Sequence, residues 1–241
     1  MLEFALVLLL GLVAGTVGGI VGFGSSIMLM PALVLVFGPR EAVPIMAMAA
    51  LMANAARVVV WWRAIDWRAA AVYAATGVPA AALGARTLLA LPVGVVEAVL
   101  GLFFIAMIPL RRWLARRQLR LQLWQLALVG AGIGFLTGIV VSTGPVNTPF
   151  FLAYGLVKGA FLGTEALGSL AVYAAKALTF RSLGALPVDA IAKGLIVGSS
   201  LTAGAFLAKR VVLALDASKF RLLMDALLLV AGATMLWAAW R

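Results

Sequence analysis

A chain of 241 residues that is 65% hydrophobic and only 11% charged is too apolar for a soluble globular domain. Apolar runs of about 20 residues, the length that spans a bilayer as a helix, cover most of it and predict an all-α polytopic membrane protein. The formal net charge of +11 does not indicate a nucleic-acid partner, because most Lys and Arg residues lie in one loop or at segment ends. With no cysteine and no histidine, disulfides, thiol chemistry and most zinc sites are excluded, and no metal or cofactor is expected.

Ten apolar segments follow one another along the chain, at about 3–21, 25–37, 41–62, 69–90, 93–110, 122–141, 145–156, 160–180, 188–208 and 218–240. The only substantial hydrophilic stretch is 111–121, which is rich in arginine and divides the segments into five plus five. We therefore predict a first transmembrane repeat at 1–110, a basic cytoplasmic loop at 111–121 and a second transmembrane repeat at 122–241.

The two halves carry the same pattern of glycine and proline. The matching positions keep a nearly constant offset, with Gly15 and Gly19 matching Gly134 and Gly138 at 119 residues and Pro31 matching Pro149 at 118. Steady offsets indicate duplication, the usual construction of secondary transporters. In such proteins, a pair of broken apolar segments at corresponding places points to the substrate site.

The short segments 25–37 and 145–156 leave the topology open. At 1.5 Å per residue they reach about 18–20 Å, so they are either re-entrant half-helices in parallel repeats or short crossings in inverted repeats. Ten crossings divide the loop and end-proximal Lys and Arg residues into twelve and five, whereas eight crossings divide them into ten and seven. The first division agrees better with the positive-inside rule and favours inverted repeats.

The polar helix start after each break is the predicted binding site for an anion. Ser, Thr and Asn are typical of N-caps, and a helix N-terminus carries free N–H groups and a partial positive charge. The glycines before the breaks are more typical of close helix packing. The predicted substrate-binding residues at the two starts are Gly22, Gly24, Ser25, Ser26, Ser142, Thr143, Gly144, Asn147 and Thr148.

Arg57 and Lys176 correspond between the halves, and each lies inside an apolar segment. Either residue alone could extend its charge to the membrane interface, but their repetition favours a role in binding, because charges inside a membrane usually face a cavity. A guanidinium can hold an oxyanion through two parallel hydrogen bonds. Asn54, three residues before Arg57, lies on the same helix face and is predicted to add a polar contact.

Glu165 is the candidate coupling group, accompanied by Thr164 and Ser169. The alternative is an interfacial acid in the first turn of its helix, where it is favourable to the helix dipole. The sequence contains no Ser/His/Asp or Cys/His arrangement, no H-E-x-x-H motif and no Walker glycine-lysine loop, so an enzyme is not predicted.

Several motifs occur in a fixed order along the chain. They are the duplicated Gly-rich segment ending in Pro, Ile65-Asp66-Trp67, Gly77 to Gly84, Ala208-Lys209-Arg210, and the run from Thr143-Gly144-Pro145 through Gly163-Thr164-Glu165 to Lys176. Through these motifs the chain resembles the TauE/SafE family of sulfite exporters over essentially its whole length. The family often has an unbroken glycine triplet after each first helix, where this chain reads Val21-Gly22-Phe23-Gly24 and Ser142-Thr143-Gly144-Pro145.

The resemblance implies a multi-pass transporter of the bacterial or archaeal inner membrane, with sulfite or organosulfonates such as sulfoacetate as substrates. We expect export of a small anion, with the anion and the lipid bilayer as partners and a homo-oligomer left open. The alternative is an anion channel with the same polar lining and no ion coupling. A membrane-embedded enzyme and a non-transporting assembly subunit are further alternatives.

Overall fold

The computed structural model describes residues 2–22, 24–92, 120–140 and 143–211, with isolated positions between 95 and 113. All regular structure in these ranges is helical, as predicted. The α-helices are α1 (Leu2–Val21), α2 (Ser25–Phe37), α3 (Pro39–Trp61), α4 (Trp67–Ala90), α5 (Gln125–Ile139), α6 (Gly144–Ala153), α7 (Lys158–Ser182) and α8 (Val188–Val211). The segment 218–240, most of 93–110 and most of the basic loop lie outside the described residues.

The helices follow the predicted apolar segments to within three residues at each end. Two described stretches, Glu41–Ala64 and Val188–Ala208, are long and apolar enough to cross a membrane, and α2 has the bounds predicted for it. Helix α6 ends three residues earlier than predicted, because Gly155 adopts a left-handed φ of 105°. There Leu156 N donates to Phe151 O, so the chain turns out of the helix in the manner of a glycine C-cap.

The closest helix pairs are α4 with α5 and α1 with α8. Glycines make both contacts, so that backbone lies directly against backbone. A Cβ on Gly134 would come within 2.7 Å of the Gly77 Cα, and one on Gly19 would come within 2.9 Å of the Ala205 Cα. Small residues permit this close approach. In a membrane, such packing helps to hold helices together, because lipid provides no hydrophobic driving force between them.

The glycine contacts also give the relative direction of the helices. Along α4 and α5 the partners advance together, from Tyr73 with Gly130, through Gly77 with Gly134, to Ala81 with Gly138. The same advance joins α1 to α8, from Gly11 with Ser200 to Gly19 with Ala208. Both pairs are therefore parallel.

Helix α3 lies parallel to α8 and antiparallel to α7. Its Met48 and Met52 contact Gly194 and Gly198 of α8 in the same order. Against α7 the order reverses, with Trp61 at Gly159 and Arg57, one turn earlier, at Glu165. Helix α4 runs parallel to α7, with Tyr73 at Gly168 and Gly77 at Val172.

Candidate functional site

A buried ion pair joins the two halves of the chain. The Nη1 atom of Arg57 on α3 lies 2.9 Å from Oε2 of Glu165 on α7. The two residues are only 9% and 2% exposed. A pair held inside an apolar bundle is costly to desolvate, so it persists only where further hydrogen bonds satisfy both ions.

Arg57 also binds the broken end of α1. Its Nη1 donates to the carbonyl of Gly22, which follows the last helical residue with a φ of 85°, and its Nη2 donates to Oδ1 of Asn54. The Asn54 amide in turn donates to Ala50 O at 2.8 Å. Arg57 therefore satisfies a carbonyl that α1 leaves without a helical partner, at the negative end of the helix dipole.

Glu165 is bound through both of its carboxylate oxygens. Ser169 Oγ donates to Oε1 at 2.6 Å, and Nδ2 of Asn147, in the first turn of α6, lies 3.3 Å from the same oxygen. Asn147 is 1% exposed, and its Oδ1 has no hydrogen-bond partner within the described ranges. Such a buried acceptor is rare enough to require an explanation.

Two phenols surround the pair. Tyr73 on α4 and Tyr173 on α7 both interact electrostatically with Glu165. Tyr73 also interacts with Asn147, and Tyr173 interacts with Ser26 in the first turn of α2. Groups at the breaks of both halves therefore lie around α7.

Lys176 lies on α7 but contacts different groups. Its Nζ donates to Thr137 O at 2.8 Å and to Val140 O at 2.9 Å, and it lies 5.4 Å from the ring centre of Phe180. Lys176 thus holds the end of α5 as Arg57 holds the end of α1. Lys176 is 1% exposed, and it forms no ion pair with any residue that the structure describes.

The remaining predicted residues lie at the helix starts or elsewhere on α7. Gly24 is the N-cap of α2 with a φ of 106°, and Thr143 is the N-cap of α6. Neither start has a side-chain cap hydrogen bond. Gly24 has no side chain, and the Thr143 hydroxyl lies 2.6 Å from that of Thr137 instead. Ser25 and Gly144 are half-buried first residues of their helices.

Two predicted residues have local roles, and one is not described. Thr148 donates to Gly144 O within α6 at 2.8 Å. Thr164 accepts from Asp66 N at 2.9 Å and so anchors the start of α4, away from the partners of Glu165. Ser142 lies outside the described residues.

The sequence interpretation did not include Tyr73, Tyr173 and Thr137 among the site residues, and it gave Ser169 no contact of its own. Ser169 follows Glu165 by four residues, a spacing that places both on one helix face and gives a usable signal. The two tyrosines gave no signal beyond being polar aromatics in apolar segments. Their proximity to Glu165 depends on how α4 and α7 pack.

A bundle of apolar helices that buries an ion pair where two helices are broken has the construction of a membrane transporter. The model of the family described as sulfite exporter TauE/SafE matches residues 7–235, and the chain belongs to this family. The match confirms the resemblance of the sequence and the assignment to membrane transport. No curated protein and no solved structure matches the chain.

Proposed function

We propose that this protein is a secondary transporter that exports a small oxyanion, such as sulfite or an organosulfonate, across a bacterial or archaeal inner membrane. The observation that carries the proposal is the Arg57–Glu165 pair, buried where the end of α1 and the start of α6 meet α7. A guanidinium in such a place is suited to an oxyanion, and an intramembrane ion pair is typical of a substrate or proton pathway.

The directions of the helices support inverted repeats. Helices α1 and α3 both run parallel to α8, so α2 has to return the chain between them. Helices α4, α5 and α7 run parallel to one another and opposite to that group. Each of α1, α3 and α4 then points opposite to its counterpart α5, α7 or α8, and α2 and α6 are short crossings.

In this arrangement the substrate lies between the two broken helices. Arg57 contributes the positive charge that contacts the anion, and Lys176, fixed by two carbonyls at the end of α5, holds the broken helix that lines the site. The start of α2, with its first N–H groups not capped by a side chain, adds backbone donors. The start of α6 adds the N–H of Gly144, because Pro145 has none and the N–H groups of Val146 and Asn147 donate to Thr143 O. Glu165 is the group through which a proton is coupled to the anion.

The test is sulfite flux into proteoliposomes containing the purified protein. Wild-type protein should give saturable uptake that internal sulfite accelerates, and Arg57→Gln should lower this uptake at least about tenfold, the effect of losing a charge-assisted contact. Arg63→Gln is the matched control, because Arg63 is exposed just beyond α3. Equal flux from both variants would contradict the assignment of Arg57.

The same proteoliposomes distinguish a transporter from an anion channel. A transporter accumulates sulfite against its gradient when a pH gradient is imposed, and it passes no unitary currents. Single-channel currents together with purely downhill flux would instead support a channel with the same polar lining.

A further inference from the structure

We propose that Glu165 occupies the place of the transported anion on Arg57, and that protonation of Glu165 releases the guanidinium to a monovalent oxyanion. This inference rests on the proposed transport function and specifies its coupling. It predicts that one proton accompanies each anion and that the loaded site is electrically neutral. Export then follows an outward gradient of the anion, because an inward proton gradient by itself favours uptake.

The geometry makes Glu165 the competitor for an anion that binds Nη1 of Arg57. Its Oε2 is bound to Nη1 of Arg57, and the other described partners of the guanidinium are neutral oxygens, the carbonyl of Gly22 and Oδ1 of Asn54. No second carboxylate pairs with Arg57 within the described ranges. An oxyanion that binds Nη1 therefore has to displace the Glu165 carboxylate.

The charge balance then requires a proton. The unloaded Arg57–Glu165 pair holds one cation and one anion, so its net charge is zero. Adding a monovalent anion while Glu165 stays ionised would leave an uncompensated negative charge in a low-dielectric interior, which is strongly unfavourable. A proton on Glu165 restores neutrality, with the anion on Arg57 and a neutral acid beside it.

A divalent anion would leave the same uncompensated charge, so a sulfonate fits better than a doubly ionised sulfite.

Among the described groups that face Glu165, none is a proton acceptor as strong as its carboxylate. They are Arg57 on α3, the phenols of Tyr73 on α4 and Tyr173 on α7, the amide of Asn147 on α6 and the hydroxyl of Ser169 on α7. None of these side chains other than Arg57 is charged in its ordinary neutral-pH form. Lys176 is engaged with carbonyls of α5 instead.

Asn147 is suited to both states of the carboxyl group. In the ion pair its Nδ2 lies 3.3 Å from Oε1 of Glu165, and its Oδ1 has no described partner. A half-turn of the amide about its last side-chain bond would bring Oδ1 to the carboxyl group, where a protonated Glu165 can donate its O–H. An amide carries a donor and an acceptor on one plane, so it can bind either an ion or an acid.

The decisive experiment uses methanesulfonate, which stays monovalent over the working pH range, beside sulfite. In wild-type proteoliposomes, a pH gradient of one unit, acidic on the side of the added anion, should drive about tenfold accumulation, because one proton moves with each anion and tenfold corresponds to one pH unit. A membrane potential imposed in addition should leave the accumulation ratio unchanged, because the loaded site is electrically neutral.

Glu165→Gln removes the competing charge while keeping the size of the side chain. In this variant we expect uphill accumulation to disappear, and anion exchange to become independent of pH and to half-saturate at a lower anion concentration. Glu41→Gln is the matched control, since Glu41 is an exposed carboxylate on α3 that pairs with Lys193 at 3.0 Å. That control should retain the wild-type pH response.

A second measurement does not depend on the variant folding. Wild-type protein in weakly buffered detergent should take up about one proton for each methanesulfonate bound, as linkage between the two ligands requires. No proton uptake on binding, or persistent uphill accumulation by Glu165→Gln, would overturn the coupling while leaving transport intact. Failure of the wild type to exchange either anion would contradict the proposed function itself, and the coupling with it.

Discussion

Arg57 and Lys176 stand at equivalent places in the two halves, yet only Arg57 meets a carboxylate. Each donates to a carbonyl at the broken end of the first helix in its half, which is the role that the repeated pattern shares. The position equivalent to Glu165 in the first half is Met46, a fully buried member of the apolar core. Among the described residues, the corresponding positions of the two halves therefore form one buried ion pair rather than two, and the asymmetry comes from single side chains.

The mutual dependence of the buried ions can be measured as stability. Arg57→Gln should lower the unfolding free energy by about 3–5 kcal/mol, because it leaves Glu165 buried without its counter-ion. The double variant Arg57→Gln with Glu165→Gln should be more stable than Arg57→Gln alone, because neither charge then remains. Thermal unfolding in detergent, followed by circular dichroism, compares the wild type, Arg57→Gln, Glu165→Gln and the double variant. Additive losses from the two substitutions would show that the charges do not interact.

At the level of the elements, glycine decides which helices touch. Helices α4 and α5 meet through Gly77 and Gly134, and α1 and α8 meet through glycines in the equivalent order. The fourth helix of one half thus packs against the first helix of the other. Each tight pair joins the two halves, so the packing units differ from the repeats of the sequence.

Substitution at the α4–α5 contact should separate these helices. A Cβ on Gly134 would meet the Gly77 backbone on a side where no flexible side chain can yield. We expect Gly134→Ala to destabilise the protein by about 1–3 kcal/mol. Gly132→Ala, on the exposed face of the same helix with nothing within 4 Å, should have no effect or stabilise slightly. Equal melting temperatures for the two variants would contradict the close contact.

At the scale of the whole molecule, the direction of the helices determines how the site can open to two sides. In the inverted-repeat arrangement that we propose, the two halves have opposite orientations across the membrane. Each half can then provide one access route by the same kind of movement. The buried site lies between elements of both halves, with α3 and α7 antiparallel at its centre.

The orientation can be tested directly because the chain has no cysteine. We expect Ala64→Cys, between α3 and α4, and Leu183→Cys, after α7, to react with a membrane-impermeant maleimide from opposite sides of the membrane. Both positions are exposed. Labelling from the same side would indicate parallel repeats, with α2 and α6 re-entrant. Cysteines at the buried positions Ala50 and Ala166 should stay unlabelled and serve as controls.

The sequence by itself determined the class, the family and the positions of the helices. Hydrophobic length, the spacing of glycine and proline and the repeated pattern are local properties, and they sufficed to predict α2 and to single out Arg57, Lys176 and Glu165. Only the tertiary structure decided that Glu165 pairs with Arg57, 108 residues away, while Lys176 binds carbonyls. The partner of a buried charge depends on which faces of the helices pack together. That packing is governed by backbone contacts between glycines far apart in the sequence rather than by the residues beside each charge.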